Sequence, residues 1–287
     1  MSALAEKNKY RFKGHESFIL REGWLNKGLT EVSKNEKVFS ENYGADALGV
    51  GPNMAKAIRY WLKCTGLTEE ENGKGVILTD LGKIILENDP YTEDIFTLWL
   101  IHCQIARNQQ NATAWNLFFN SFSYEEFKKT EMMAEMKELA VTFADGGKLS
   151  EASIEADCDA ILRMYVKKRE KNSNPEEKNT SPFGKLGLIK VSGDFYERKQ
   201  PDLKNLPDEV VLYLLLLLDE KSIHIDELLN IANGPGKILQ LKRTALMEKL
   251  EILEAKGFIT LNRTAGLNMV YLNNAISDIK MVQKYYK

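Results

Sequence analysis

The sequence predicts a mainly α protein carrying small β-hairpins. Three observations predict it. Apolar residues recur at helical spacing through most of the 287 residues, two stretches read as helix, turn and amphipathic helix, and a short hairpin pattern follows each of them. Helix, helix and hairpin is the order of a winged helix, so two winged-helix-like modules are expected to flank a helical middle region. The expected layout is an N-terminal module over 1–88, a helical middle over 89–166, a polar linker over 167–181 and a C-terminal module over 182–287.

In the first module, Asn42 to Leu48 reads as a short helix and Gly49-Val50-Gly51 as its turn. The stretch PNMAKAIRYWLKCTG follows. Pro52 suits the first helical position, where its missing N–H had no intrahelical partner, and Gly66 suits the position just past the end. Met54, Ala55, Ile58, Trp61 and Leu62 fall on one face, and Asn53, Lys56, Tyr60 and Lys63 on the other, with Arg59 at the flank. Leu67 to Glu70 and Val76 to Leu78, joined by the turn-like EENGKG, read as a two-stranded wing. Thr79 then caps a helix over TDLGKIILEN through its side-chain oxygen.

The middle, Pro90 to Val166, reads as helical and rich in aromatic residues. Its stretch ATAWNLFFNSFSYEEF holds Trp115, Phe118, Phe119, Phe122, Tyr124 and Phe127, which are expected in the core rather than on a base-stacking platform. The linker KKREKNSNPEEKNTS loses its apolar residues and reads as flexible.

The second module repeats the order of the first. Asp208 to Leu218 is a strongly apolar helix, Ser222 to His224 a short extended stretch, and Asp226 to Ala232 a helix opening on an Asp cap. Gly234-Pro235-Gly236 makes a turn, and a long amphipathic helix is expected from about Ile238 to Lys256, ending at Gly257. Leu241, Leu246, Leu250 and Leu253 form its apolar stripe, and Lys237, Lys242, Arg243 and Lys249 are assigned to its exposed face. Phe258 to Leu261 and Met269 to Leu272 read as the closing hairpin.

Composition bounds the function. The formal net charge of −2 excludes a uniformly basic nucleic-acid coat, yet residues 1–65 carry 11 Lys and Arg against 7 Asp and Glu, a local bias that permits DNA contact. Cys64, Cys103 and Cys158 are far apart and have no zinc or redox spacing, which suits a reducing compartment. The N-terminus has no apolar stretch of the secretory kind, and the longest apolar run, Val210 to Leu218, is too short for a membrane helix. A cytoplasmic protein without metal or cofactor is expected.

No stretch assembles an enzyme's nucleophile, base and oxyanion site. His15 and Glu16 are adjacent in sequence, and neighbours in an extended segment point apart, so a structural His15 bonded across an element is the expectation. His102, on the apolar TLWLIHC, reads as a core histidine. Asp157 and Asp159 diverge on a helix, leaving an Asp159 to Arg163 ion pair as the expected use. Neither LGVGPN nor NGPGKI has the spacing of a phosphate loop.

Several stretches together resemble a bacterial family known as a domain of unknown function, number four thousand and seven in its series. They include GHESF with GWL, LGVGPNMAKAIRYW, LTDLG, DPYTEDIFTLWLIH, ATAWNLFFN, SPFGKLGLI, GPGKILQL and TAGLNMVYL, in order along nearly the whole chain. The resemblance implies a bacterial setting near genes of DNA phosphorothioation and phage defence, and supplies no catalytic residues. Where the family's glycine turn usually carries Lys, this chain has Pro52, which removes one positive charge from the helix start.

The expected function is therefore a regulatory or targeting protein that binds double-stranded DNA. Asn53, Lys56, Arg59 and Lys63 on the first recognition helix, Lys74 and Arg263 on the two wings, and Lys237, Lys242 and Arg243 in the second module are the candidate contacts. A solvated helix face is the plain alternative for each. A protein-protein adaptor docking on a sulfur-transfer or nuclease partner is the alternative function.

Overall fold

An all-round apolar helix can only be stable in the middle of a fold. Helix α5 (Ile95–Arg107, IFTLWLIHCQIAR) is such a helix, buried at ten positions from Phe96 to Ala106. The other elements are arranged about it in a computed structural model that describes residues 9–167, 181–273 and 276–287. The first eight residues and nearly all of the polar stretch expected as a linker lie outside the described residues.

The chain before α5 forms α1 (Trp24–Lys34), α2 (Ala45–Leu48), α3 (Pro52–Cys64), the hairpin β1 (Thr68–Glu71) and β2 (Gly75–Leu78), and α4 (Asp80–Asn88). Strands β1 and β2 pair antiparallel with Glu70 opposite Val76. Thr79 caps α4 as expected, its Oγ1 accepting from the Gly82 N–H at 3.0 Å. Gly82 in turn lies so close to the Leu67 carbonyl that a Cβ would stand 2.0 Å from its oxygen, which fixes α4 against the start of the β1–β2 hairpin. The segment 42–48 is not one helix: Asn42 to Gly44 form a single 3-10 turn in which Tyr43 has φ 55°, and α2 starts only at Ala45. Helix α1, which packs on α3, is an element the pattern of the sequence did not single out.

After α5 come α6 (Thr113–Asn120), β3 (Glu126–Lys128), α7 (Lys129–Ala144) and α8 (Glu151–Tyr165). The aromatic stretch is core, with Trp115, Phe118, Phe119, Phe122 and Phe127 buried and Tyr124 exposed. It is not helical throughout, because Phe127 sits on β3, paired opposite Tyr196 and stacked on its ring. That strand joins β5 (Phe195–Arg198) and β4 (Ile189–Ser192) in a sheet of order β3-β5-β4, a pairing between segments some 70 residues apart.

The C-terminal part holds α9 (Asp208–Leu218), β6 (Ser222–His224), α10 (Ile225–Asn230), α11 (Pro235–Ile238), α12 (Arg243–Ala255), the hairpin β7 (Ile259–Asn262) and β8 (Met269–Leu272), and α13 (Asp278–Tyr285). Strand β6 adds to the hairpin, giving the order β6-β8-β7. Three expectations are corrected. The cap of α10 is His224, whose Nδ1 accepts from the Asp226 N–H at 3.2 Å, not Asp226 itself. Pro235 opens the short helix α11 instead of a turn. The single helix from Ile238 to Lys256 is broken, because Gln240 adopts φ 54°, which no α-helix accommodates, and this lets Leu239 and Leu241 both point inward before α12 begins at Arg243.

Polar bonds tie α5 to what surrounds it. Trp99 Nε1 donates to the Asn205 carbonyl at 2.7 Å, and Thr97 and Tyr286 share a hydroxyl contact. His102 is the core histidine that was expected. Its Nε2 donates to the Ile238 carbonyl at 2.9 Å, so its Nδ1 accepts from the Tyr165 hydroxyl at 2.8 Å. Burial lowers its pKa to about 4, which keeps the ring neutral and the tautomer fixed.

Lys249 is not on an exposed face. It is 5% exposed, and its Nζ donates to the carbonyls of Leu203 and Leu206 at 3.0 and 2.6 Å and to Asp208 at 2.9 Å. Burial alone would raise the Asp208 pKa, but hydrogen bonds from Lys249 and Lys256 outweigh it and hold the carboxyl below its ordinary value. Removing one partner of such a buried set leaves the others short of a donor. Lys249→Ala is expected to lower the unfolding free energy by about 3 kcal/mol in urea titration, the scale of a broken buried pair.

Candidate nucleic-acid interface

Helix α3 is amphipathic with a sharp division. Ala55, Ala57, Ile58, Tyr60, Trp61, Leu62 and Cys64 are buried, Asn53 is exposed, and Lys56, Arg59 and Lys63 are partly exposed. Pro52 opens the helix and Gly66, at φ 66°, follows its end, as their conformational preferences predict. Tyr60 departs from its expected outer position. Its ring lies under Gly14, where a Cβ would come within 2.3 Å of the ring, and beside Arg11, whose guanidinium carbon is 5.2 Å from the ring centre. Burial raises the Tyr60 phenol pKa well above its ordinary value, so the hydroxyl stays protonated.

The segment from Arg11 to Ser17 crosses the outer side of α3 and forms one wall of a groove of about 310 Å³. Arg11 and Glu16 from this wall, Lys56, Arg59 and Lys63 from α3, and Tyr43 and Glu70 from the turn before α2 and from β1 line it. Four cations thus face two carboxylates. Three of the sequence-predicted contacts meet here. Asn53 stands one turn earlier on α3 and is not part of the lining.

The charges in the groove are loosely engaged. Glu70 accepts from Arg59 at 3.0 Å and lies 3.6 Å from the Lys63 ammonium, so one carboxylate serves two cations. The Lys56 ammonium lies 4.2 Å from the centre of the Tyr43 ring. Partly exposed pairs of this kind contribute little, roughly 0 to 1 kcal/mol each, and an incoming anion displaces them at small cost.

The wall itself is held from inside. His15 and Asp157 are each 1% exposed, and His15 Nε2 donates to Asp157 at 2.8 Å. The Lys13 N–H adds 3.0 Å contacts to both carboxylate oxygens, and the Arg11 N–H donates to Thr113 Oγ1 at 2.9 Å. His15 also stacks on Trp61 and meets Trp115 edge-on. Burial pushes the Asp157 carboxyl above its ordinary pKa, and the His15 and Lys13 contacts oppose that shift. Lys13, Glu16 and Ser17 all have positive φ, conformations that non-glycine residues hold only when their surroundings impose them. His15 is thus structural, as expected, while its partner Asp157 was not foreseen. Asp159 pairs with Lys129 at 2.5 Å instead of with Arg163, because α7 packs alongside α8.

The remaining sequence-predicted residues lie elsewhere. Lys74 in the β1–β2 turn pairs with Glu71 at 2.7 Å, Arg263 after β7 with Glu251 at 2.8 Å, and Arg243 is bonded to Asp226. Lys242 is exposed and Lys237 partly so, and none of the four C-terminal cations lines the groove. Arg11, Tyr43 and Glu70 are groove residues that the sequence reading did not select. A larger cavity of about 410 Å³ lies among α4, α9 and α13, but its charged lining is Glu69, Asp80 and Asp278 against Lys83, which repels anions. Among the described residues, no group of three or more His, Cys, Asp or Glu is placed to hold a metal ion, and no helix is long and apolar enough to cross a membrane.

Because the His15–Asp157 pair is buried, removing the carboxylate leaves the imidazole and the Lys13 N–H without their acceptor. Asp157→Ala is expected to cost about 3 to 5 kcal/mol of unfolding free energy. Denaturant titration measures this, and a loss under 1 kcal/mol contradicts the anchoring role.

A comparison with curated proteins finds no match. Two solved structures are similar along the whole chain. Magnesium ion-bound SspB has a TM-score of 0.84 and 25% sequence identity, covering 100% of this chain and 89% of that one. SspB has the same score and identity, covering 99% and 89%. The family described as "Protein of unknown function (DUF4007)" matches residues 12–286. The resemblance read from the motifs is thereby borne out, and the chain belongs to this family.

Proposed function

We propose that the protein binds duplex DNA through α3 and the groove beside it, as a regulatory or targeting protein of a bacterial DNA phosphorothioation or phage-defence system. The observation that carries the reading is the meeting of Arg11, Lys56, Arg59 and Lys63 on one exposed surface, in a chain whose net charge is −2. Cations so clustered in an otherwise acidic protein provide local affinity for phosphate. In this reading α2, α3 and the β1–β2 hairpin act as a winged helix, with Asn53 at the open end of α3 reaching base edges and Lys74 at the wing reaching phosphate. The C-terminal cations Lys237, Lys242, Arg243 and Arg263 extend the contact from a second module of the same kind. The setting in phosphorothioation or defence rests on the family resemblance. The role is binding, and no residue is assigned a catalytic step.

The adaptor reading has its own supporting observation. On the β4–β5 hairpin, Val191 of the edge strand β4 and Phe195 of the central strand β5 are 37% and 41% exposed, apolar side chains on the two faces of the sheet of the sort that protein partners cover. A stoichiometric partner purified from the native host, with no DNA shift at low salt, favours the adaptor.

Lys56→Glu combined with Arg59→Glu replaces two attractions for phosphate by two repulsions. Duplex affinity in a gel shift is expected to fall at least tenfold while circular dichroism stays unchanged. Unaltered binding removes α3 from the interface.

A further inference from the structure

We infer that the groove beside α3 receives a single unpaired nucleotide, with its base against Tyr43 and its phosphate taking the place of the Glu70 carboxylate between Arg59 and Lys63. The inference rests on the DNA-binding reading and adds to it a preference for duplexes that present an extrahelical base.

The size of the groove comes first. At about 310 Å³ it sits at the lower end of the range of small-ligand sites, with room for one nucleotide and not for a base pair. Its chemistry is that of a nucleotide seat. Single-stranded sites combine a cationic track with an aromatic platform, and every base has a face to stack. Lys56, Arg59 and Lys63 are spaced one turn apart along one side of α3 and make the track.

Tyr43 makes the platform. It is 49% exposed and stands at the groove, with the Lys56 ammonium 4.2 Å from its ring centre. It is held there by a backbone that costs energy, because Asn42 and Tyr43 have φ of 43° and 55°. Gly44 follows at φ 80°, packed so tightly that a Cβ would lie 3.0 Å from the Val38 carbonyl. The turn is therefore fixed from behind, and the ring is presented rather than left loose.

Glu70 supplies the last part. One carboxylate placed against both Arg59 and Lys63 occupies the position of an anion, and its side chain is 47% exposed and free to swing out. A backbone phosphodiester carries one negative charge on two free oxygens, as the carboxylate does, and can take the same place between the arginine and the lysine. Glu70 then acts as a resident counter-ion that a phosphate must displace, which weakens binding of ordinary backbone and leaves the stacked base to decide which DNA is held.

The test compares two labelled duplexes by fluorescence anisotropy, one fully paired and one with a single extra unpaired adenine. The wild-type chain is expected to bind the bulged duplex about tenfold more tightly, the scale of one base stacked on an aromatic ring. Tyr43→Phe keeps the preference and Tyr43→Ala abolishes it, whereas Glu70→Gln tightens binding of both duplexes. A bulge also makes DNA easier to bend, so the dependence on Tyr43 is the decisive readout. Equal affinity for the two duplexes, or a preference that survives Tyr43→Ala in a chain with unchanged circular dichroism, overturns the inference and leaves the duplex-binding reading standing. Absence of binding to either duplex at low salt overturns both.

Discussion

The buried pair of His15 and Asp157 is the contact on which the rest of the candidate site depends. It joins the N-terminal segment to α8 across 142 residues of chain, and it does so at the place where that segment passes over α3. With the Arg11 N–H bond to Thr113 and the packing of Gly14 on Tyr60, it holds residues 11–17 in place and sets Arg11 and Glu16 opposite Lys56 and Arg59. The pair is buried against Trp61 and Trp115, where salt screens it little. A charged surface groove is in this way built on an interior bond.

The same division of labour recurs at α5 and at α9. Apolar helices supply the burial, and a small number of polar contacts decide how neighbours are placed on them. His102 sets α8 and α11 against α5 through two ring nitrogens. Lys249 sets α12 against the start of α9 by meeting two carbonyls and Asp208. Each of these buried polar groups has its partners, and each fixes a geometry that packing alone leaves open.

Much of the fold was legible in the sequence for local reasons. Helix α3, the Thr79 cap, the helix over Asp208 to Leu218 and the β1–β2 and β7–β8 hairpins depend on spacing, capping and turn chemistry within a few residues. What was not legible is nonlocal. Strand β3 exists only because β5 pairs with it, the break at Gln240 reflects the burial of both Leu239 and Leu241, and Lys249 looks like a surface lysine until the carbonyls of Leu203 and Leu206 arrive beside it. The site divides in the same way. Lys56, Arg59 and Lys63 follow from helical periodicity, but Arg11 comes from a segment whose approach to α3 has no trace in the order of residues, and Tyr43 from a 3-10 turn where the pattern predicts a helix. Glu70, on a hairpin that the sequence predicts, reaches Arg59 because that hairpin folds back along the helix.

The central claim is that the face made by α3 and residues 11–17 is where this protein meets DNA. Hydrogen exchange of the whole chain, alone and with saturating duplex at low salt, tests it most directly. The account predicts slowed exchange of backbone amides in 11–17 and in the exposed first turns of α3 upon complex formation. A complex that forms while those amides exchange unchanged, with slowing confined to α12 and the β7–β8 hairpin, contradicts it.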